Sequence, residues 1–232
     1  SSTWIDAIEV SYDNGDGVWR NAADNPAFYA AGAAATRTSN GIVGGSAIGG
    51  QSSMIASNGS MVDVYGSPDG FSTLALESSA TGGTGEEVDG NAAGGDVSLR
   101  LFASTLAAPS VSLAANALTN TGEAVAGTVS FGAADESIAR IASLVLDASA
   151  DGTGSGTWTG GFAGLVSGSG SVVEIGSTEM EASGATIAGA FEIVANNGSM
   201  ALETIYATAV GAAAGDASRI VAIGGSIPIS SY

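Results

Sequence analysis

Apolar and polar side chains alternate with period two along most of this chain, in short runs that glycine interrupts. Val97, Leu99 and Leu101 share one side of their segment, Leu74 and Leu76 oppose Thr73 and Ala75, and Val125, Val129 and Phe131 line up. Segments 158–166, 171–175, 186–194 and 201–207 continue the pattern. Alternation of this kind marks strands with one buried face. Turn signals such as "DNGDG", "SPDG", "DGTGSG" and "SGSG" fall about ten residues apart, the spacing of an all-β sandwich or barrel. The expectation is a mostly β fold: an antiparallel β-sandwich of jelly-roll or Ig-like type with one or two short helices, or alternatively a closed β-barrel.

Two stretches carry helical signals. Residues 25–37, "NPAFYAAGAAATR", place Pro26 where a first turn tolerates it and follow it with alanine. Residues 134–149 offer Asp135 as an N-cap, with Ile138, Ile141 and Val145 at helical spacing; the same segment also reads as a turn feeding a strand from Ser143. The polar, glycine-rich stretch 78–96 predicts a long surface loop in a single 232-residue domain, or a boundary near residue 90 between two small β units.

"IASNGSM" at 55–61 returns as "VANNGSM" at 194–200. Residues 47–61 and 186–200 align with seven identities in fifteen positions, which points either to a degenerate duplication or to chance in a Gly/Ala/Ser-rich chain. Asn-Gly between alternating segments predicts a type I′ hairpin in each copy, since both central residues need positive φ. The same residues spell N-x-S, which makes Asn58 and Asn197 candidate glycan acceptors on exposed turns.

Charge narrows the partners. The net charge is −18, yet acidic residues are only 23 of 232; the imbalance comes from having five basic residues, all arginine (Arg20, Arg37, Arg100, Arg140, Arg219). Nucleic acid and anionic membrane surfaces are disfavoured, because both are bound through Lys and Arg. No apolar run is long enough for a transmembrane helix. The opening "SSTWIDAIEV" has no Met and no leader-like region, so the chain reads as a mature, extracellular or cell-surface product, or a virion component. Cysteine is absent, which rules out disulfides and thiolate metal sites.

Without His, Cys or Lys, the Ser-His-Asp and Cys-His triads, Schiff-base chemistry and P-loops are excluded. Paired carboxylates remain, with Glu174, Glu179 and Glu181 as candidates, but any solvated strand edge looks like this and no enzyme is expected. The acidic, base-poor chain favours Ca²⁺ over other cofactors. Asp13, Asn14 and Asp16 in "YDNGDGVW" form the leading metal candidate; Asp147 with Asp151, and Glu86, Glu87, Asp89 and Asp96, are weaker ones. Trp4, Tyr12, Trp19, Phe28 and Tyr29 crowd the first thirty positions as core or interface anchors.

The function expected from this inventory is a secreted structural subunit whose partners are copies of itself. It would build a filament, surface layer or virion-type structure by terminal strand exchange and calcium bridging. Segments 218–232 and 2–12 are the candidate donors. The alternative is a surface-displayed module that binds carbohydrate or a small ligand.

Overall fold

Strands of seven and ten residues recur in a fixed order. Asp96–Phe102 is followed by Thr105–Ala114, Thr128–Ala134 by Ile138–Asp147, Phe162–Gly168 by Val172–Glu181, and Ala190–Asn196 by Ser199–Thr208. The computed structural model describes residues 45–231 apart from 65–72, 86 and 216, together with the backbone of Ser11–Tyr12, Val18–Arg20 and Phe28–Ala31.

Each strand pairs in parallel with its equivalent one coil later. Val97 lies beside Val129, Val129 beside Ala163 and Ala163 beside Phe191; Leu106, Ala139, Val173 and Met200 form the matching row opposite. The ten-residue strands belong to a ten-stranded sheet, here sheet I, and the seven-residue strands to a six-stranded sheet, sheet II. The chain therefore winds as a parallel β-solenoid, one coil stacked on the next.

This overturns the antiparallel sandwich. Among the described residues every strand pairing except Ser11–Tyr12 with Val18–Arg20 is parallel, and the sheets run between two ends without closing into a barrel. Period-two alternation reports which face is buried but not the direction of the neighbouring strand, so the sequence pattern fits both arrangements. The helix expected over 134–149 is also absent: the segment is a turn followed by Ile138–Asp147, and Phe28–Ala31 is likewise a strand, while the rest of 25–37 lies outside the described residues. Ile141 and Leu144 both face the core, across a break in the pairing ladder at Ala142. That break puts two inward residues three apart and so mimics a helical repeat. Pro109 occupies the same break one coil earlier, where its missing N–H removes no ladder bond.

Leu74, Leu99, Phe131, Leu144, Leu165, Ile175 and Ile193 fill the space between sheets I and II, each almost wholly buried. At one edge the coil is pinched. The N–H groups of Gly95, Gly127, Gly161 and Gly189 donate to the carbonyls of Ser78, Ala115, Ala148 and Ala182 at 2.7–2.8 Å. Beyond the pinch each coil runs out into a side lobe with two narrow sheets, which contains most of 78–96 as well. Its small core is alanine capped by Trp158, whose Nε1–H donates to the buried Thr119 carbonyl at 2.8 Å.

At the opposite edge a tight turn passes from sheet II to sheet I. Asn58 and Gly59, Asp135 and Glu136, and Ser169 and Gly170 sit at positive φ, and in each turn an i→i+3 hydrogen bond closes the loop. The two NGSM copies occupy this corner four coils apart. Neither is a hairpin: Gln51–Ser57 belongs to sheet II and Met61–Asp63 to sheet I, and the same division holds for Ala190–Asn196 and Ser199–Thr208. Asn197 has positive φ but Gly198 does not, so only the first copy has both central residues in the expected conformation.

Candidate assembly surfaces

Stacking in register puts like residues into columns, and the polar columns are used internally. Ser104, Ser137 and Ser171 line the turn edge, all buried; the Ser137 Oγ accepts the Ser104 N–H and the Ser171 Oγ accepts the Ser137 N–H, both at 3.2 Å. Ser79, Asn116 and Ser149 form a second column next to the side lobe. There the Ser79 Oγ accepts from Asn116 N–H (3.3 Å) and the Asn116 Oδ1 from Ser149 N–H (3.0 Å). Chains of this kind satisfy backbone donors where the coil turns away from its ladder.

The outer faces differ sharply in charge. On sheet I the strands from Met61–Asp63 to Ser199–Thr208 carry Asp63, Glu77, Asp147, Glu174, Glu179, Glu181 and Glu203 against a single Arg140. Arg140 pairs with Glu174 of the next coil (Nε to Oε2, 2.9 Å), and both are well exposed. Beside them the strand break leaves an open groove of 830 Å³ lined by Ala108, Gly176 and Glu203 among others. The strands of sheet II carry only Asp96, Arg100, Glu192 and Arg219, which sum to zero. Glu192 and Arg219 form an ion pair across adjacent coils.

At the coil formed by Arg219–Ile223 and Ile229–Ser231 the inward face opens to solvent. Ile220 continues the column of Leu99, Phe131, Leu165 and Ile193, yet it is 49% exposed whereas Ile193 is 0%. Phe191, Ile205, Ala207, Ile220 and Ile229 line a 520 Å³ cavity between the sheets at this end. Both strands stand last in their sheets, so one edge of each has no partner among the described strands. The expected C-terminal donor segment is thus already paired along its other edge within its own chain.

The sequence-derived site residues do not converge. Asp13, Asn14 and Asp16 lie outside the described residues. Among the described residues no group of three or more acidic side chains is arranged to hold a metal. Asp147 accepts from Ser149 N–H and Oγ–H and from the Asn116 amide, Asp89 accepts from Gly85 N–H, and Asp151 from Gly152 N–H. These carboxylates serve local turns and, at Asp147, a contact with Asn116 of the preceding coil. Glu179 and Glu181 point outward from one strand of sheet I, and Glu174 lies beyond the break in its ion pair. Asn58 and Asn197 are exposed at the turn edge. No described helix is long and apolar enough to cross a membrane.

Sequence reasoning passed over the residues that set the architecture. A Gly-Gly or Ala-Gly pair precedes each seven-residue strand, at 49–50, 94–95, 126–127, 160–161 and 188–189, and this recurrence was the available signal. Comparison of the chain with protein-family models, with curated proteins and with solved structures found no match.

Proposed function

We propose that this chain is a structural subunit of an extracellular filament, surface layer or virion-type assembly, and that it grows by adding a further coil, supplied by another copy, at the Arg219–Ile223 and Ile229–Ser231 edge. The observation that carries this reading is Ile220. It is an inward-facing core position left half exposed beside a 520 Å³ apolar cavity. In a solenoid each coil shields its neighbour's core, and the coil at Arg219–Ile223 and Ile229–Ser231 presents apolar surface and strand edges with no partner among the described strands. Strand addition at such an edge would extend both sheets in register and place a new inward row over Ile220 and Ile229.

The few basic residues give trypsin-like proteases little to cut, which suits an extracellular setting. The acidic outer face of sheet I repels its copies, and Ca²⁺ between those faces would relieve that repulsion. The test is sedimentation and negative-stain microscopy of the purified 232-residue chain with calcium or EDTA. Elongated particles that grow with concentration and shorten in Ile220→Asp are the expected result. Particles of one fixed length at all concentrations, or growth unaffected by Ile220→Asp, would overturn the reading.

A further inference from the structure

Sheet I is interrupted at the same place in successive coils. Ala108 pairs with Ile141, Ile141 with Ile175 and Ile175 with Leu202, all facing the core. The ladder then skips Pro109, Ala142, Gly176 and Glu203 and resumes at Ser110, Ser143, Ser177 and Thr204. The skipped residue and the hydroxyl residue after it both lie off the core face, and beside this stacked break lies the 830 Å³ groove. Its lining reaches from Ala108 to Glu203, across four coils, so it follows the stacking axis for about 14 Å at about 4.8 Å per coil.

Ala142 and Gly176 keep the floor free of bulky side chains, and the Arg140–Glu174 ion pair stands along one side. On the other side Ser110, Ser143 and Ser177 present one half-buried hydroxyl per coil. These hydroxyls make no hydrogen bond among the described residues. The columns through Ser137 and Asn116, by contrast, satisfy the chain's own backbone. Thr204 continues the free row's line, and Tyr206, 64% exposed, follows two residues later.

We infer that this groove binds a linear, uncharged polysaccharide laid along the solenoid axis, with one sugar to each coil. Register selects that class. An extended peptide advances about 3.3 Å per residue and falls out of step with coils about 4.8 Å apart. A chain of pyranose rings linked across the ring advances by close to one coil per sugar. Charge selects against phosphate and uronate polymers, which would meet seven acids and one arginine on this face of a molecule with net charge −18.

The side chains fit hydroxyl-rich rings. Serine hydroxyls both donate and accept, Glu203 accepts from ring hydroxyls, and Arg140 has N–H donors beyond the one that Glu174 takes. The Tyr206 ring offers a face to the apolar side of a sugar. The site needs no second copy, so it is independent of growth at Arg219–Ile223.

The test is calorimetry of the 232-residue chain in EDTA with β-1,4-linked oligomers of glucose, N-acetylglucosamine and mannose of increasing length, and with oligogalacturonate as the anionic control. At least one neutral series should bind, with affinity rising to about four rings, the length of the groove, and then levelling off. Ala142→Phe, which fills the floor, should abolish binding. Ser143→Ala combined with Ser177→Ala should weaken it about tenfold through two lost hydrogen bonds. Ser98→Ala, on sheet II, should leave it unchanged. The inference is overturned if no neutral series binds, if oligogalacturonate binds more tightly, or if binding ignores both Ala142→Phe and the serine pair. Particle growth is read separately by sedimentation, so either result stands without the other.

Discussion

A Cβ built on Gly127 would lie 1.8 Å from the carbonyl oxygen of Gly95. That oxygen accepts the N–H of Thr128 at 3.1 Å, so it cannot move aside without breaking the first ladder bond of the next strand. Gly161 stands in the same relation to Gly127, and Gly189 to Gly161, at 1.9 and 2.1 Å. This glycine column lets successive coils stack through the pinch.

Gly127→Ala should therefore unfold or disorder the coils around it, costing more than about 4 kcal/mol, at the extreme of single substitutions. Gly132→Ala is the control. It lies in the strand that follows Gly127, with nothing within 4 Å of its would-be Cβ, and it should stabilise by about 0.5 kcal/mol by restricting the unfolded chain. Urea denaturation of both variants distinguishes a stacking requirement from a general intolerance of alanine.

The irregular spacing of this column is also why the repeat escaped a reading of the sequence. Gln51, Asp96, Thr128, Phe162 and Ala190 are equivalent positions, but the interval between them falls from 45 residues to 28. Most of that variation lies in the side lobe, whose length the stacked sheets do not constrain. The NGSM alignment held the answer in part: its offset joins Gln51 to Ala190, the same site four coils on. Strand content was legible because inward positions such as Leu99 and Phe131 must be apolar in either sheet type. Strand direction was not, since it depends on where each turn sends the chain. The assembly surfaces were legible only as charge totals, because which acids share a face follows from coil register.

Thr178 is fully buried in a column with Val111, Leu144 and Ile205, and its Oγ1 has no hydrogen-bond partner. Thr178→Val keeps the shape and removes the unsatisfied hydroxyl. It should raise stability by about 1–2 kcal/mol in thermal or chemical denaturation.

Ser137 is the middle of the buried serine column, accepting from Ser104 N–H and donating to the Ala134 carbonyl. Ser137→Ala leaves the Ser104 N–H buried without that acceptor, at a cost of about 1–3 kcal/mol. Ser143→Ala, on an outward position of the strand that follows, should change stability by less than about 0.5 kcal/mol.

Glu136 holds φ of 62° beside Asp135 at 56°, in a turn whose equivalent one coil later places Gly170 at 76°. A left-handed conformation costs a residue with a Cβ about 1–2 kcal/mol. Glu136→Gly removes that penalty at some expense in unfolded-state entropy, and melting should show a net gain of up to about 1 kcal/mol.

The most direct measurement of the growing edge is hydrogen–deuterium exchange along the chain before and after assembly. Backbone amides of 219–223 and 229–231 should exchange fast in the dispersed chain and become protected as particles lengthen, while amides of the inner strands Thr128–Ala134 and Ile138–Asp147 stay protected throughout. Assembly that leaves exchange at 219–223 and 229–231 unchanged would contradict coil addition at this edge.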